Sequence, residues 1–160
     1  MKPKFLYLLA VLVLLSAMAS AAFAAPLDAH FTHFQAHVDQ HGNLQTQFTE
    51  AGLGAQQVVT YALAAHVDAV YVCMDAHGHI TNGQVVPNDP SLDAHFTADA
   101  HGTVNGSIAL GPPDPNAHLC SSGEMVMLAA VRYTDVTLTD TSNNIVFTAD
   151  HPYGRVFLPQ

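Results

Sequence analysis

Three segments of the chain share the pattern Asp-x-His-Gly: Asp39-Gln40-His41-Gly42, Asp75-Ala76-His77-Gly78 and Asp99-Ala100-His101-Gly102. Two further Asp-Ala-His copies, at Asp28 and Asp93, lack the glycine. The pattern suits two kinds of chemistry. In the first, the Asp carboxylate holds backbone N–H groups of a hairpin turn, and Gly supplies a positive φ where a type I turn closes on a bulge. In the second, neutral imidazole is a metal ligand and Asp ligates beside it or orients it. The sequence adds to the second list His66-x-Asp68, two residues that point the same way on an extended chain. It also adds the cluster Cys73, Met74, His77, His79. Imidazole with carboxylate suits Zn or Cu(II), and imidazole with sulfur suits Cu(I). The candidate metal ligands are therefore His41, His66, Asp68, Asp75, His77, His79, Asp99 and His101. No His-Glu-x-x-His or Cys-x-x-Cys spacing joins them into a standard site, so Zn or Cu stays an alternative and no cofactor is expected by default.

Other chemistries have less support. Ser121-Ser122-Gly123 is a loop sequence and not a Gly-x-Ser-x-Gly elbow, and no Gly-rich phosphate loop opens a helix. We expect no catalytic residues and no enzyme. Lys plus Arg number 4 against 13 Asp plus Glu, which leaves no basic face for nucleic acid. Asn105-Gly106-Ser107 is a glycosylation sequon, meaningful only in a eukaryotic secretory pathway.

The compartment is legible at the N-terminus. Lys2 and Lys4 precede an unbroken apolar run from Phe5 to Leu15, then a small-residue stretch that offers Ala22-Phe23-Ala24 as a cleavage site. That order is a secretory signal over residues 1–24, too short to span a bilayer as an anchor. The remainder, residues 25–160, shows no linker and reads as one domain, secreted or held in the periplasm or cell envelope, with no transmembrane anchor after cleavage. Cleavage removes both Lys and leaves Arg132 and Arg155 against all 13 acids, with all 11 His retained. The exported chain is strongly anionic at pH 7 and moves toward neutrality as imidazoles protonate. Cys73 and Cys120, an even pair in an exported chain, are expected to form a disulfide that pins two strands or sheets together.

The elements that must position these residues read as strands and turns. In Val58–Cys73, Val59, Tyr61, Leu63, Val67, Tyr71 and Cys73 share one parity, and Thr60, His66 and Asp68 share the other. This is a long half-buried strand, bent or bulged. Glu124–Asp140 reads as a central buried strand that emerges into solvent near Asp135. Shorter strands are expected over 44–49, 80–86, 92–98, 103–110, 145–149 and 155–158, separated by Pro- and Gly-rich turns. Leu27 to His41 fits either a first strand or a helix carrying His30, His33, His37 and His41 as a stripe.

Phe48-Thr49-Glu50-Ala51-Gly52-Leu53-Gly54, the strand through Tyr71-Val72-Cys73, Gly106-Ser107-Ile108-Ala109-Leu110 leading to Pro112-Pro113, and Cys120-x-Ser122-Gly123 leading to Tyr133–Asp140 occur in that order. Together they resemble a group of small exported bacterial proteins. The resemblance implies an all-β, antiparallel immunoglobulin-like β-sandwich with one disulfide, and it implies no activity or site residue. The expectation is an exported non-catalytic β-sandwich module with a structural or binding role and an unknown partner. The alternative is an extracytoplasmic Zn- or Cu-binding or metal-buffering protein that uses its His residues.

Overall fold

The computed structural model describes residues 28–115 and 118–158; the signal segment 1–24 lies outside them. Nine strands form two antiparallel sheets. The first sheet orders β1 (His30–Val38), β2 (Leu44–Ala51) and β6 (Val104–Leu110) as β1-β2-β6. The second is built on β3 (Val58–Met74), which pairs with β4 (Ile80–Asn88), β5 (Ser91–Thr97) and β7 (Met125–Asp140). β8 (Ile145–Thr148) and β9 (Tyr153–Val156) complete it by pairing with β7. The all-β reading and the antiparallel pairing therefore hold, and the segment after Asp28 is a strand. With extended backbone the His stripe does not form, and Phe31, Phe34, Ala36 and Val38 pack on the core instead.

β3 is long enough to serve two half-sheets. Its first half, Val58–Ala64, lies between β5 and the Thr137–Asp140 end of β7; its second half, Val67–Met74, lies between β4 and Met125–Tyr133. Two register shifts separate β3 from β7, between Ala64 and His66 and between Val70 and Tyr71. The extra residues are on β7, so the bulges expected of the long strand are carried by its partner. Asp135 sits in one of them at a φ of 52°.

The three-stranded sheet covers only the first half. Phe48 stacks against Tyr61 at 4.7 Å between ring centroids and edge-on against Phe96 at 5.6 Å; Phe31 and Phe34 meet Phe147. Aromatic contacts of this kind add specificity to the area they bury. Gly106 makes room for them, because a Cβ there would lie 2.3 Å from Phe48 Cζ. At the upper limit of this cover, buried Tyr133 donates to a carbonyl oxygen of the first sheet, Gly42 O at 2.8 Å or Leu110 O at 3.1 Å.

Beyond Tyr133 the inner face of β3 and β7 has no strand over it. The segment that follows β6 fills the gap: Tyr71 Oη donates to Pro113 O at 2.6 Å, and Cys73 is bonded to Cys120 with a Cα–Cα distance of 5.4 Å. The disulfide thus ties a loop to a strand and does not join two strands or sheets. The burial of β7 is likewise the reverse of the sequence expectation. Its Met125–Ala130 end is the more exposed, and Val131–Asp140 alternates into the core. The apolar residues of both parities near Met125 face the loop on one side and solvent on the other, a division that hydropathy alone does not reveal.

A closed loop of this length is worth several kcal/mol in the chain-entropy account. Cys73→Ala should lower unfolding stability by about 2–5 kcal/mol in urea titration, and it should expose the Tyr71–Pro113 region first, read as accelerated amide exchange around residues 69–73.

Candidate binding surface

The three Asp-x-His-Gly copies adopt one conformation. Asp39 Oδ1 accepts from the backbone N–H of His41 and Asn43, Asp75 Oδ1 from His77 and His79, and Asp99 Oδ1 from His101 and Thr103, all at 2.8–3.0 Å. In each copy the Gly N–H donates to the Asp carbonyl, and Gly42, Gly78 and Gly102 have φ of 88°, 84° and 73°. The Asp is therefore held as an anion by the turn. Backbone donation from His79 lowers the Asp75 pKa, and backbone donation from Thr103 lowers that of Asp99. At Asp39 burial pushes upward, yet side-chain bonds from Asn43 and Gln45 with backbone bonds from Asn43 and His41 bring it well below the carboxylate range. The imidazoles take no part in the shared turn bonds; only their backbone N–H groups do.

The turns stand apart from one another. Asp39–Gly42 joins β1 to β2, Asp75–Gly78 joins β3 to β4, and Asp99–Gly102 joins β5 to β6 at the opposite end of the strands. His77 and His79 are near neighbours, with ring centroids 6.3 Å apart, and His79 Nδ1 lies 3.3 Å from Asp75 Oδ2. His66 and Asp68 meet on the outer face of β3 at 3.7 Å, and His66 Nδ1 is 2.7 Å from Asp89 Oδ1. The bond to Asp89 raises the His66 pKa, partial desolvation opposes it, and the charges of Asp89, Asp68 and Asp135 add to the rise. Among the described residues, the only three His, Cys, Asp or Glu side chains whose ligand atoms lie within 4.8 Å of one another are Cys73, Cys120 and Glu124. The two sulfurs of that group are bonded to each other. Sequence spacing missed Glu124, which is fixed by Thr81 and the Ser121 N–H.

Sequence reasoning also missed Glu50. Its parity with Leu44, Thr46 and Phe48 on β2 was the available signal, and the carboxyl is fully buried. Neither of its oxygens, nor the Tyr61 hydroxyl, has a hydrogen-bond partner of good geometry. Burial pushes the Glu50 pKa to about 7; Tyr61 lowers it, and the nearby Asp140 charge raises it further. Asp140 is itself buried, and its carboxylate is occupied by the N–H groups of Ser142 and Asn143 and by the Asn143 amide.

The outer face of the six-stranded sheet is divided. Along its first half it carries Thr60, His95, Asp93, Thr137 and Thr139, as expected for a solvated antiparallel face. Along its second half it carries three apolar rows set by register. Val85, Val70, Ala130 and Val156 form one row across β4, β3, β7 and β9. Val72 with Met127, and Met74 with Ile80 and Met125, form the next two. Ile80, Val85, Met125 and Val156 are 52–60% exposed. A shallow groove of about 500 Å³ crosses this face, bounded by Asp68 and Arg132 in the adjoining row. The Met74/Met125 and Val72/Met127 pairs bear out the adjacency of the sulfur-bearing segments in the sequence, but they present those methionines to solvent as apolar surface beside a closed disulfide.

No family model matches the chain, and no curated protein matches it. Among solved structures it is similar to the solution structure of R. palustris CsgH, at 18% identity and a TM-score of 0.28, covering 81% of this chain and 92% of that one. It is also similar to the X-ray structure of the structural-genomics target SoR45, at 12% identity and a TM-score of 0.22, covering 82% and 88%. Similarity at these scores carries no functional argument, so the reading rests on the surface itself.

Two titrations check the electrostatics. In NMR, His66 should titrate above the ordinary imidazole value of ~6.5, and Asp89→Asn should return it toward that value. Glu50 binds its proton more tightly folded than unfolded, so the stability it carries is complete below its unfolded pKa of about 4.5 and is lost as pH rises toward 7. Glu50→Gln should therefore remove a decline of about 3 kcal/mol across that interval, measured as urea midpoints between pH 4 and 8.

Proposed function

We propose that the protein is an exported, non-catalytic β-sandwich module of immunoglobulin-like type that acts by binding, and that its binding surface is the apolar half of the outer sheet face. The observation that carries this reading is the change of character within single strands. β3 presents Thr60, Ala62 and Ala64 outward along one half and Val70, Val72 and Met74 along the other, while β7 passes from Thr139 and Thr137 to Ala130, Met127 and Met125. Contiguous exposed apolar surface is a partner surface more often than a solvated one, and a fold with one free polar face had no structural need of it. The disulfide supports an oxidising compartment such as the periplasm, cell envelope or extracellular space. Every Asp of the repeated motif is used by its turn, which supports a scaffold role for that motif over a ligand role.

A photo-crosslinking amino acid placed at Val85, in cells that export the protein, should give a discrete adduct. The same residue placed at Val146, exposed on the outer face of the other half, should give none. Equal yields from both positions, or none from Val85, would remove the reading. Turnover by the purified protein that disappears on changing a single Ser, His or Asp would remove its non-catalytic part.

A further inference from the structure

We propose that the partner of this face is a second copy of the same chain, packed face to face about a two-fold axis that runs parallel to the strands between β3 and β7. This inference rests on the binding-module reading and names its partner. The argument is one of complementarity. A two-fold axis in that position preserves each row and exchanges the columns, so a residue on β3 faces its row neighbour on β7 of the other copy, and one on β4 faces its counterpart on β9. The register then sets Val70 against Ala130, Val85 against Val156, Val72 against Met127 and Met74 against Met125. Two of these pairs set a larger side chain against a smaller one, which suits interdigitation between packed sheets.

The charged row decides for a second copy over an unrelated apolar partner. Asp68 and Arg132 are register neighbours on β3 and β7. Among the described residues Arg132 has no ion pair, since all the short ion pairs involve His66, His79 or His151. In a chain with 13 acids and only 4 Lys plus Arg, an unpaired guanidinium at the rim of an apolar face is an unused contact. The same axis sets Arg132 of one copy against Asp68 of the other, and does so twice, as an isologous interface requires. No second charged residue lies within the apolar rows to oppose itself.

The size of the face sets the strength. Four strands about 4.8 Å apart and three rows about 6.8 Å apart along the strand give a patch roughly 20 Å on a side. This is below the ~800 Å² per partner of a standard stable interface, so the dimer is a reversible one. The anionic charge of each copy opposes it at low salt, and screening at about 0.15 M ionic strength relieves much of that repulsion.

Sedimentation equilibrium of the exported protein at about 0.15 M salt tests this directly. A concentration-dependent monomer–dimer equilibrium is expected. Val85→Glu and Arg132→Asp should each weaken it at least about tenfold, and the double swap Asp68→Arg with Arg132→Asp should restore it. Circular dichroism confirms that each variant is folded, and Val156→Glu replaces Val85→Glu if that variant is not. A wild-type monomer up to about 1 mM, a dimer unaffected by the apolar-row variants, or a folded double swap that stays monomeric would overturn the proposal. A monomer that sediments with phosphatidylglycerol vesicles would also overturn it, in favour of a lipid surface. A monomer that still crosslinks another protein through Val85 ends the homodimer and leaves the binding-module reading in place.

Discussion

β3 runs for 17 residues, about 56 Å of strand, while β2, which faces it across the core, runs for 8, about 26 Å. Most of what distinguishes the molecule follows from this mismatch. An antiparallel sandwich buries one face of each sheet against the other, and where one sheet ends, the longer one is left with apolar side chains on its inner face and nothing to cover them. Ala69, Tyr71 and Cys73 lie in that overhang, yet they are buried. The chain leaves β6 at Leu110, crosses under the overhang through Pro112 and Pro113, and is fastened at Cys120. A Pro-rich segment suits the task, because it needs few backbone donors and loses little entropy when fixed.

The cover acts on one side only. It satisfies the inner face of the overhang and leaves the outer face as the sole large apolar surface of the half-sheet. The functional asymmetry of the molecule is therefore built along the strands and not between the sheets. Near Tyr133 the two regimes meet: its hydroxyl closes the end of the first sheet, and one row away Asp68 and Arg132 mark where the outer face changes from polar to apolar.

Much of this architecture is legible in the sequence, and the exceptions share a cause. The period-two pattern of Val58–Cys73 identifies β3 and its inward residues, because every odd position from Val59 to Cys73 does face the core. The turn chemistry of Asp39, Asp75 and Asp99 is equally readable, since it depends on residues within four positions of each other. What the sequence hides is relative extent. Nothing local says that β2 stops opposite Tyr61 and Tyr133, so the apolar run of β7 reads as buried when half of it is surface. The same blindness explains Glu50: its parity points inward, but only the opposed sheet shows that it has no partner there. Of the candidate ligands, proximity in sequence brought His66 to Asp68 and His79 to Asp75. Strand topology sent the three motif copies to different corners.

The repeated turn separates what holds the chain from what the surface displays. In each copy Asp and Gly make the conformation, and the third position contributes a backbone N–H that any residue other than proline would supply equally. His41, His77 and His101 therefore occupy positions where side-chain identity is free of folding constraint. Substitution there can retune the surface charge of the exported molecule, one turn at a time, without reopening the question of whether it folds. The imidazole content is an adjustable coating on a fixed frame, and selection for a given acidity of surroundings can act on the coating alone.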